Sequence, residues 1–279
     1  MALTIADMAK ARKAGERIAM VTCYDHASAM ICARAGLRYL LVGDSLGQVM
    51  LGHPDTLKVT LADMVAHCAS VARGAPDALI VADMPFLTYT SAADAVAAAG
   101  ALMREGGAGA VKLEGGEHVL PIVRTLVDHG VPVMGHLGFT PQSAHTIGVR
   151  VQGRAPAQAA KIIRDAQGLE AAGAFGIVLE LVPAELAAAI TDRLQIPTIG
   201  IGAGAGCSGQ VQVWHDLLGL FDRPPYRHAR RYAELGNAIR DALAAYAADV
   251  AQGAFPTAAN AVTMDAALVE EALALAERG

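Results

Sequence analysis

Eight short apolar runs rich in Val, Ile and Leu recur along the 279-residue chain, and their spacing restricts the available folds more than any other feature. They fall at 18–22, 39–42, 78–82, 110–113, 131–135, 176–179, 198–201 and 210–214. Each is too short for a helix and lacks the strict alternation of a half-exposed strand, the pattern of parallel strands covered on both faces. Helical signals lie between them. TLADMVAHCASVARG opens with Thr60 and Asp63, and SAADAVAAAGALMREGG with Ser91 and Asp94, at capping-box spacing. Gly36, Gly74, Gly106, Gly130 and Gly173 stand where helices give way to the next strand and are expected to take the left-handed cap conformation. Strand and helix therefore alternate as one repeated unit. Such alternation demands parallel strands with right-handed crossovers, and eight units close naturally into an α/β fold, a single (β/α)8 TIM-type barrel. An open doubly wound sheet has the same periodicity. One domain is expected over 1–279, with the barrel core at about 17–220 and additional C-terminal helices at about 221–279.

Composition fits this expectation and narrows the function. A chain with 54% hydrophobic residues can fill a barrel and its helical jacket, and its Ala and Leu account for the mean hydropathy without a membrane. The formal charge of −5 gives no general attraction to nucleic-acid phosphates. Cys23, Cys32, Cys68 and Cys207 are scattered, with no CxxC pair and no histidine at zinc spacing, so they read as reduced thiols in the cytoplasm. Asp7 and Lys10 interrupt the N-terminal segment before any signal-peptide core, and no run reaches membrane-spanning length.

In a barrel of this type the C-terminal ends of the strands face the active-site mouth. The second strand ends in Asp44 and Ser45 and the third in Asp83; the fourth carries Lys112 and ends at Glu114; the fifth ends at His136 and the sixth at Glu180. Any one of these reads most plainly as a polar strand end that caps a helix or meets solvent. Together they make one polar rim. Asp44, Asp83 and Glu114 would crowd like charges, which a hard divalent cation relieves most simply, and all-oxygen ligation favours Mg²⁺ over zinc. Lys112 lies two residues from Glu114, on the same side of the strand, where it can pair with an acid or receive a substrate carboxylate or oxo group. Glu180 follows a long apolar strand, where burial would raise its pKa toward that of a general base; the alternative is an exposed loop glutamate. His136 divides evenly between a core histidine and a substrate contact.

Two loops carry weaker signals. GIGAGAGCSGQ, residues 200–210, has the composition of a phosphate loop and equally of a tight turn. SAHTIGVRVQGR, residues 143–154, sets Arg150 and Arg154 among glycines, as in a lid or a solvated loop. The basic run RPPYRHARRY, residues 223–232, is expected to be a solvated helix start or a subunit contact.

LLVGDSLGQVMLGHPDTLKVTL, VADMPFLTY, VKLEGG, GHLGFTPQS, VRVQGR, VLELVP and GIGAG, in this order across about residues 3–220, resemble the ketopantoate hydroxymethyltransferase family. The resemblance implies the barrel, a homo-oligomer (a decamer), and a cytoplasmic role early in pantothenate and coenzyme A biosynthesis. It also implies transfer of a hydroxymethyl group from 5,10-methylenetetrahydrofolate to 3-methyl-2-oxobutanoate, giving ketopantoate, through an enolate stabilised by Mg²⁺. The family's metal-coordinating acids fall on Asp44 and Asp83, with Glu114 close to the ion. Its oxo-acid contacts fall on Asp44, Ser45, Asp83 and Lys112, its proton acceptor on Glu180, and a residue near the substrate on His136. The sequence departs from the family pattern after GIGAG, where Ala205 and Ser208 replace an expected Pro and acidic residue, which bears on the loop's conformation and on folate affinity. A rival enzyme is a Mg²⁺-dependent 2-oxo-acid lyase or mutase resembling the isocitrate lyase and phosphoenolpyruvate mutase group. Against it, no Lys-Lys-Cys-Gly-His type of loop is present. A folate- or oxo-acid-binding module without catalysis is a third reading, and retention of every metal and base residue argues against it.

Overall fold

The computed structural model describes residues 3–278. Strands β1 (Ile18–Thr22), β2 (Tyr39–Val42), β3 (Leu79–Asp83), β4 (Ala110–Glu114), β5 (Val133–Gly138), β6 (Gly176–Glu180), β7 (Thr198–Ile201) and β8 (Gly209–Gln212) form a closed barrel in chain order. Every neighbouring pair is parallel, and β8 returns to β1. The alternation of side chains along a strand then divides the core in two. Leu40, Val42, Ile80, Ala82, Val111, Leu113, Ile177 and Leu179 point outward and pack with the surrounding helices. Ile18, Met20, Leu41, Leu79, Val81, Ala110, Met134, Val178, Ile199 and Val211 form the inner cluster, joined by Met8 from the helix Ile5–Lys13.

The inward columns explain why polar residues gather at one end. Leu79 and Val81 lead to Asp83, Ala110 leads to Lys112 and Glu114, Met134 to His136, and Val178 to Glu180, each step being two residues along a strand. Barrel stagger sets these columns side by side: Asp83 is in register with Lys112, Glu114 with His136, and Gly138 with Glu180. Apolar layers fill the lower barrel and titratable ones the C-terminal layer.

The helices follow their capping signals. Thr60 accepts a hydrogen bond from Asp63 N and Asp63 accepts one from Thr60 N, starting the helix Leu61–Gly74; Ser91 caps Ala92–Arg104 by accepting from Asp94 N. Of the five expected cap glycines, Gly36, Gly130 and Gly173 have positive φ, but Gly74 and Gly106 do not, and Gly107 takes the left-handed position instead. Gly74 and Gly106 are needed for space, since a Cβ on either would press against a backbone carbonyl oxygen.

Three other expectations need correction. The strand-and-helix repeat breaks between β7 and β8, where residues 202–208 return without a helix. This glycine-rich loop lies directly on the helix Ala184–Arg193, because a Cβ at Gly204 or Gly206 would meet Ala184 or Ala188; close packing accounts for its glycines. The eighth strand stops at Gln212, since Trp214 N turns to Thr22 Oγ1 and begins the short helix Trp214–Leu217. The basic run at 223–232 starts no helix; within it, His228 O accepts a hydrogen bond from Gln212 Nε2.

The chain divides into two compact units, one of Met1–Leu217 with Pro224–Arg231 and the other of Leu218–Arg223 with Tyr232–Gly279. The second contains the helices Leu235–Gln252 and Ala266–Ala276. On the longer helix Leu235, Ile239, Leu243, Tyr246 and Val250 stay exposed at spacings of three and four, which puts them on one apolar stripe. Among the described residues no helix is long and apolar enough to cross a membrane.

Candidate active site

Asp44, Asp83, Lys112, Glu114 and His136 are all buried at the C-terminal end of the barrel. The turn after β2 brings Asp44 in: Gly43 carries no Cβ that would lie 2.9 Å from Ser45 Oγ, and Asp44 N donates to Asp83 Oδ2 at 3.0 Å. Asp83 Oδ1 faces Lys112 Nζ at 2.9 Å as an ion pair. Lys112 Nζ also lies 3.1 Å from His136 Nδ1. Because an ammonium can only donate, Nδ1 must accept, which assigns the imidazole proton to Nε2, the nitrogen 3.2 Å from Glu180 Oε2. That last approach is angled away from an ideal hydrogen bond.

Burial first, then the charges of Asp83 and Glu114, raise the Asp44 pKa well above the usual carboxylate range. Burial likewise pushes Glu114 up to about 7. For Lys112 burial acts downward, but Asp83, Glu114 and Asp44 outweigh it and raise the pKa. Burial and the neighbouring Lys112 lower that of His136, which keeps the ring neutral and agrees with its single-proton assignment. Glu180 is less buried than its strand suggests, its side chain retaining 17% exposure. The backbone around it is tightly determined: Gly138 takes φ +96° with the Glu180 carbonyl where a Cβ would stand, and Leu181 takes φ +47°, uncommon for a residue with a side chain.

Three acids against one lysine leave two negative charges in a buried site when all are ionised, a balance that one divalent cation restores. Glu114 Oε1 is buried without a hydrogen bond to a described residue, and a neutral His136, whose Nδ1 is 3.5 Å away, gives it no proton. That orphaned oxygen, beside an Asp83 whose Oδ1 pairs with Lys112, fits a hard cation. Among the described residues no three His, Cys, Asp or Glu side chains converge into a ready-made cage.

Sequence reasoning had passed over two residues at this rim. Tyr24, just past β1, is buried and its hydroxyl is 2.9 Å from Ser45 Oγ, while His67 Nδ1 donates to its carbonyl at 2.6 Å. Reading the end of the first strand as the others were read would have found it. Gln142 donates from Nε2 to Asp44 Oδ2 at 2.8 Å and from its backbone N to Glu114 Oε2 at 2.9 Å. The loop at 143–154 is tied to the end of β6 by Gln152 N donating to Leu181 O, and leaves Arg150 and Arg154 exposed.

The family model described as ketopantoate hydroxymethyltransferase matches residues 2–258. The chain belongs to that family. Relatives named 3-methyl-2-oxobutanoate hydroxymethyltransferase include one from Roseiflexus sp., 61% identical over 98% of this chain and 99% of its own length. Another, from Chloroflexus aurantiacus, is 57% identical over 98% of this chain and 97% of its own length. Among solved structures, 2,3-dimethylmalate lyase, a member of the PEP mutase/isocitrate lyase superfamily, superposes with a TM-score of 0.60, covering 100% of this chain and 97% of that one. At 18% identity that likeness concerns the barrel alone, so family membership outweighs the lyase alternative.

Proposed function

We propose that the barrel mouth transfers a hydroxymethyl group from 5,10-methylenetetrahydrofolate to 3-methyl-2-oxobutanoate, giving ketopantoate for pantothenate synthesis. The observation that carries this reading is the buried cluster of Asp44, Asp83 and Glu114 around one ammonium, with a further carboxylate, Glu180, opposite His136. Asp44 and Asp83 would hold Mg²⁺, with Glu114 beside it, and the ion supplies positive charge that draws electron density from the oxo acid. Lys112, kept charged by the acids, and the Ser45 hydroxyl, held by Tyr24, are placed to orient the substrate's carboxylate and oxo oxygens. Glu180 would take the C3 proton. His136 stands beside that carboxylate, with Nε2 3.2 Å from Oε2. The enolate carbon then bonds to the methylene carbon as both of its bonds to the folate nitrogens break, each nitrogen keeping the electron pair; water supplies the hydroxyl of the new hydroxymethyl group, and the C3 proton and the remaining proton of that water end on the two nitrogens of tetrahydrofolate.

Exchange of the C3 proton of 3-methyl-2-oxobutanoate with D₂O, followed by NMR with Mg²⁺ and no folate, tests this reading. Exchange without any cleavage of 2-methylisocitrate supports it; cleavage without exchange overturns it in favour of a lyase. Four buried free cysteines support a reducing, cytoplasmic setting. The exposed apolar stripe on Leu235–Gln252 supports an assembly of identical subunits, since such a face needs a cover.

A further inference from the structure

Gln142 engages three strand ends at once. It stands in the short turn Pro141–Ser143 after β5 and is buried. Its side-chain amide donates to Asp44 Oδ2 at 2.8 Å and to Met84 O at 2.9 Å, while its Oε1 accepts from the Tyr89 hydroxyl at 2.5 Å. The Met84 carbonyl can only accept, so rotating the amide by half a turn would set oxygen against oxygen there; the amide is held in one orientation. Tyr89 in turn follows a turn in which Thr88 N donates to Pro85 O and Leu87 takes φ +63°, a backbone state held by its surroundings.

The consequence falls on the carboxylates. The amide occupies Asp44 Oδ2, and the backbone N–H of the same residue occupies Glu114 Oε2, so each acid has one oxygen committed to Gln142. Of the remaining pair, Glu114 Oε1 is buried and has no hydrogen bond among the described residues. A carboxylate with one oxygen fixed by a donor offers the other in a single direction, and a small hard cation demands near-ideal ligand directions. We propose that Gln142, locked by the Tyr89 hydroxyl, is a positioning residue that aims the uncommitted oxygens of Asp44 and Glu114 at a divalent cation. This rests on the metal reading of the proposed function.

The test titrates Mn²⁺ into the full-length protein with 3-methyl-2-oxobutanoate present, reading free Mn²⁺ by electron paramagnetic resonance. Gln142→Met keeps the backbone donor and the side-chain length but removes the amide; Mn²⁺ affinity should fall about 10- to 100-fold. Tyr89→Phe removes only the lock, and affinity should fall about fivefold. In the proton-exchange assay both variants should need more Mg²⁺ for half-saturation, with a smaller change in the rate at saturating Mg²⁺. A core role alone would lower the folded fraction and leave half-saturation unmoved, and that result overturns the proposal. If Gln142→Met fails to fold, Tyr89→Phe decides: unchanged Mn²⁺ affinity and half-saturation overturn the proposal. Wild-type protein that binds no Mn²⁺ overturns the metal reading along with it, which is distinguishable from wild-type binding that neither substitution alters.

Discussion

If Asp83 helps to balance the charge of the buried site, deleting its carboxylate should do more than weaken one contact. Asp83→Ala also strands Lys112 and frees Asp44 N, so Mg²⁺ binding with the oxo acid present, measured by calorimetry, should be lost and enolisation with it. Wild-type Mg²⁺ affinity in this variant would remove Asp83 from the metal set. Glu180→Gln should keep size and most hydrogen bonding while removing the base, so Mg²⁺ and the oxo acid still bind, but C3 exchange and hydroxymethyl transfer both fall by ~10²–10⁴. Exchange at the wild-type rate beside collapsed transfer would move Glu180 to the folate step. The raised pKa of Glu114, about 7 against an ordinary 4.5, has a sign that can be checked. A folded-state carboxyl that holds its proton more tightly than the unfolded one adds stability below pH 4.5, and that stability is lost as pH rises through 7; Asp44 acts in the same direction. The lowered pKa of His136 acts in the opposite sense over this window, adding stability as pH rises, so the effect of the ion is the reading that isolates the carboxyls: Mg²⁺ should raise the melting temperature more at pH 8 than at pH 5, with proton release on binding. Asp44, Asp83, Lys112, Glu114, His136 and Glu180 were legible because each stands within two residues of the C-terminal end of a strand. Gln142 was not, because it lies in a turn 98 residues from Asp44 and 28 from Glu114, and only closure of the barrel brings the three together.

At the scale of elements, the order of strands and the start of the principal helices were readable because buried parallel strands and capping boxes leave local marks. What was not readable depended on partners. Trp214 has the composition to extend β8, but its backbone is claimed by Thr22 at the end of the neighbouring strand β1, and residues 202–208 skip a helix because their glycines let the loop lie on Ala184 and Ala188. The same partner dependence separates two glycines that look alike in sequence. Gly130 and Gly138 both have positive φ, but a Cβ at Gly130 meets open space whereas at Gly138 it would fall 2.1 Å from Glu180 O. Gly130→Ala should cost only the left-handed strain, about 1–2 kcal/mol. Gly138→Ala adds overpacking, for a total of about 2–4 kcal/mol, and must shift the strand end that carries Glu180. Thermal melts of the two variants, paired with C3 exchange rates, check this: Gly138→Ala should lose exchange out of proportion to stability, and Gly130→Ala should retain it. Equal effects of the two substitutions would mean that the contact between β5 and β6 does not position the base.

For the whole molecule, the question is what the second unit is for. Its two helices could be read from the sequence, since their apolar residues recur at helical spacing, but a single chain contains no record of what covers them. Leu235, Ile239, Leu243, Tyr246 and Val250 expose between 38% and 62% of their surface along one face of an 18-residue helix. A stripe of that length is costly to leave in water, at about 25 cal/mol for each Å² of apolar area, and the assembly proposed above would remove the cost by burying it in another copy. Leu243, at the middle of the stripe, is the position where a charge does most harm to such a contact and least to the helix, for glutamate is itself a good helix former. Leu243→Glu should therefore lower the mass of the particle in sedimentation velocity while the far-ultraviolet circular dichroism stays that of the parent. Glu271→Lys, on the other C-terminal helix, serves as a charge-changing comparison that leaves the stripe intact and should sediment as the parent does. If the parent protein is itself a monomer, the proposed assembly fails; if parent and Leu243→Glu share one higher mass, the assembly stands but the stripe is not its interface.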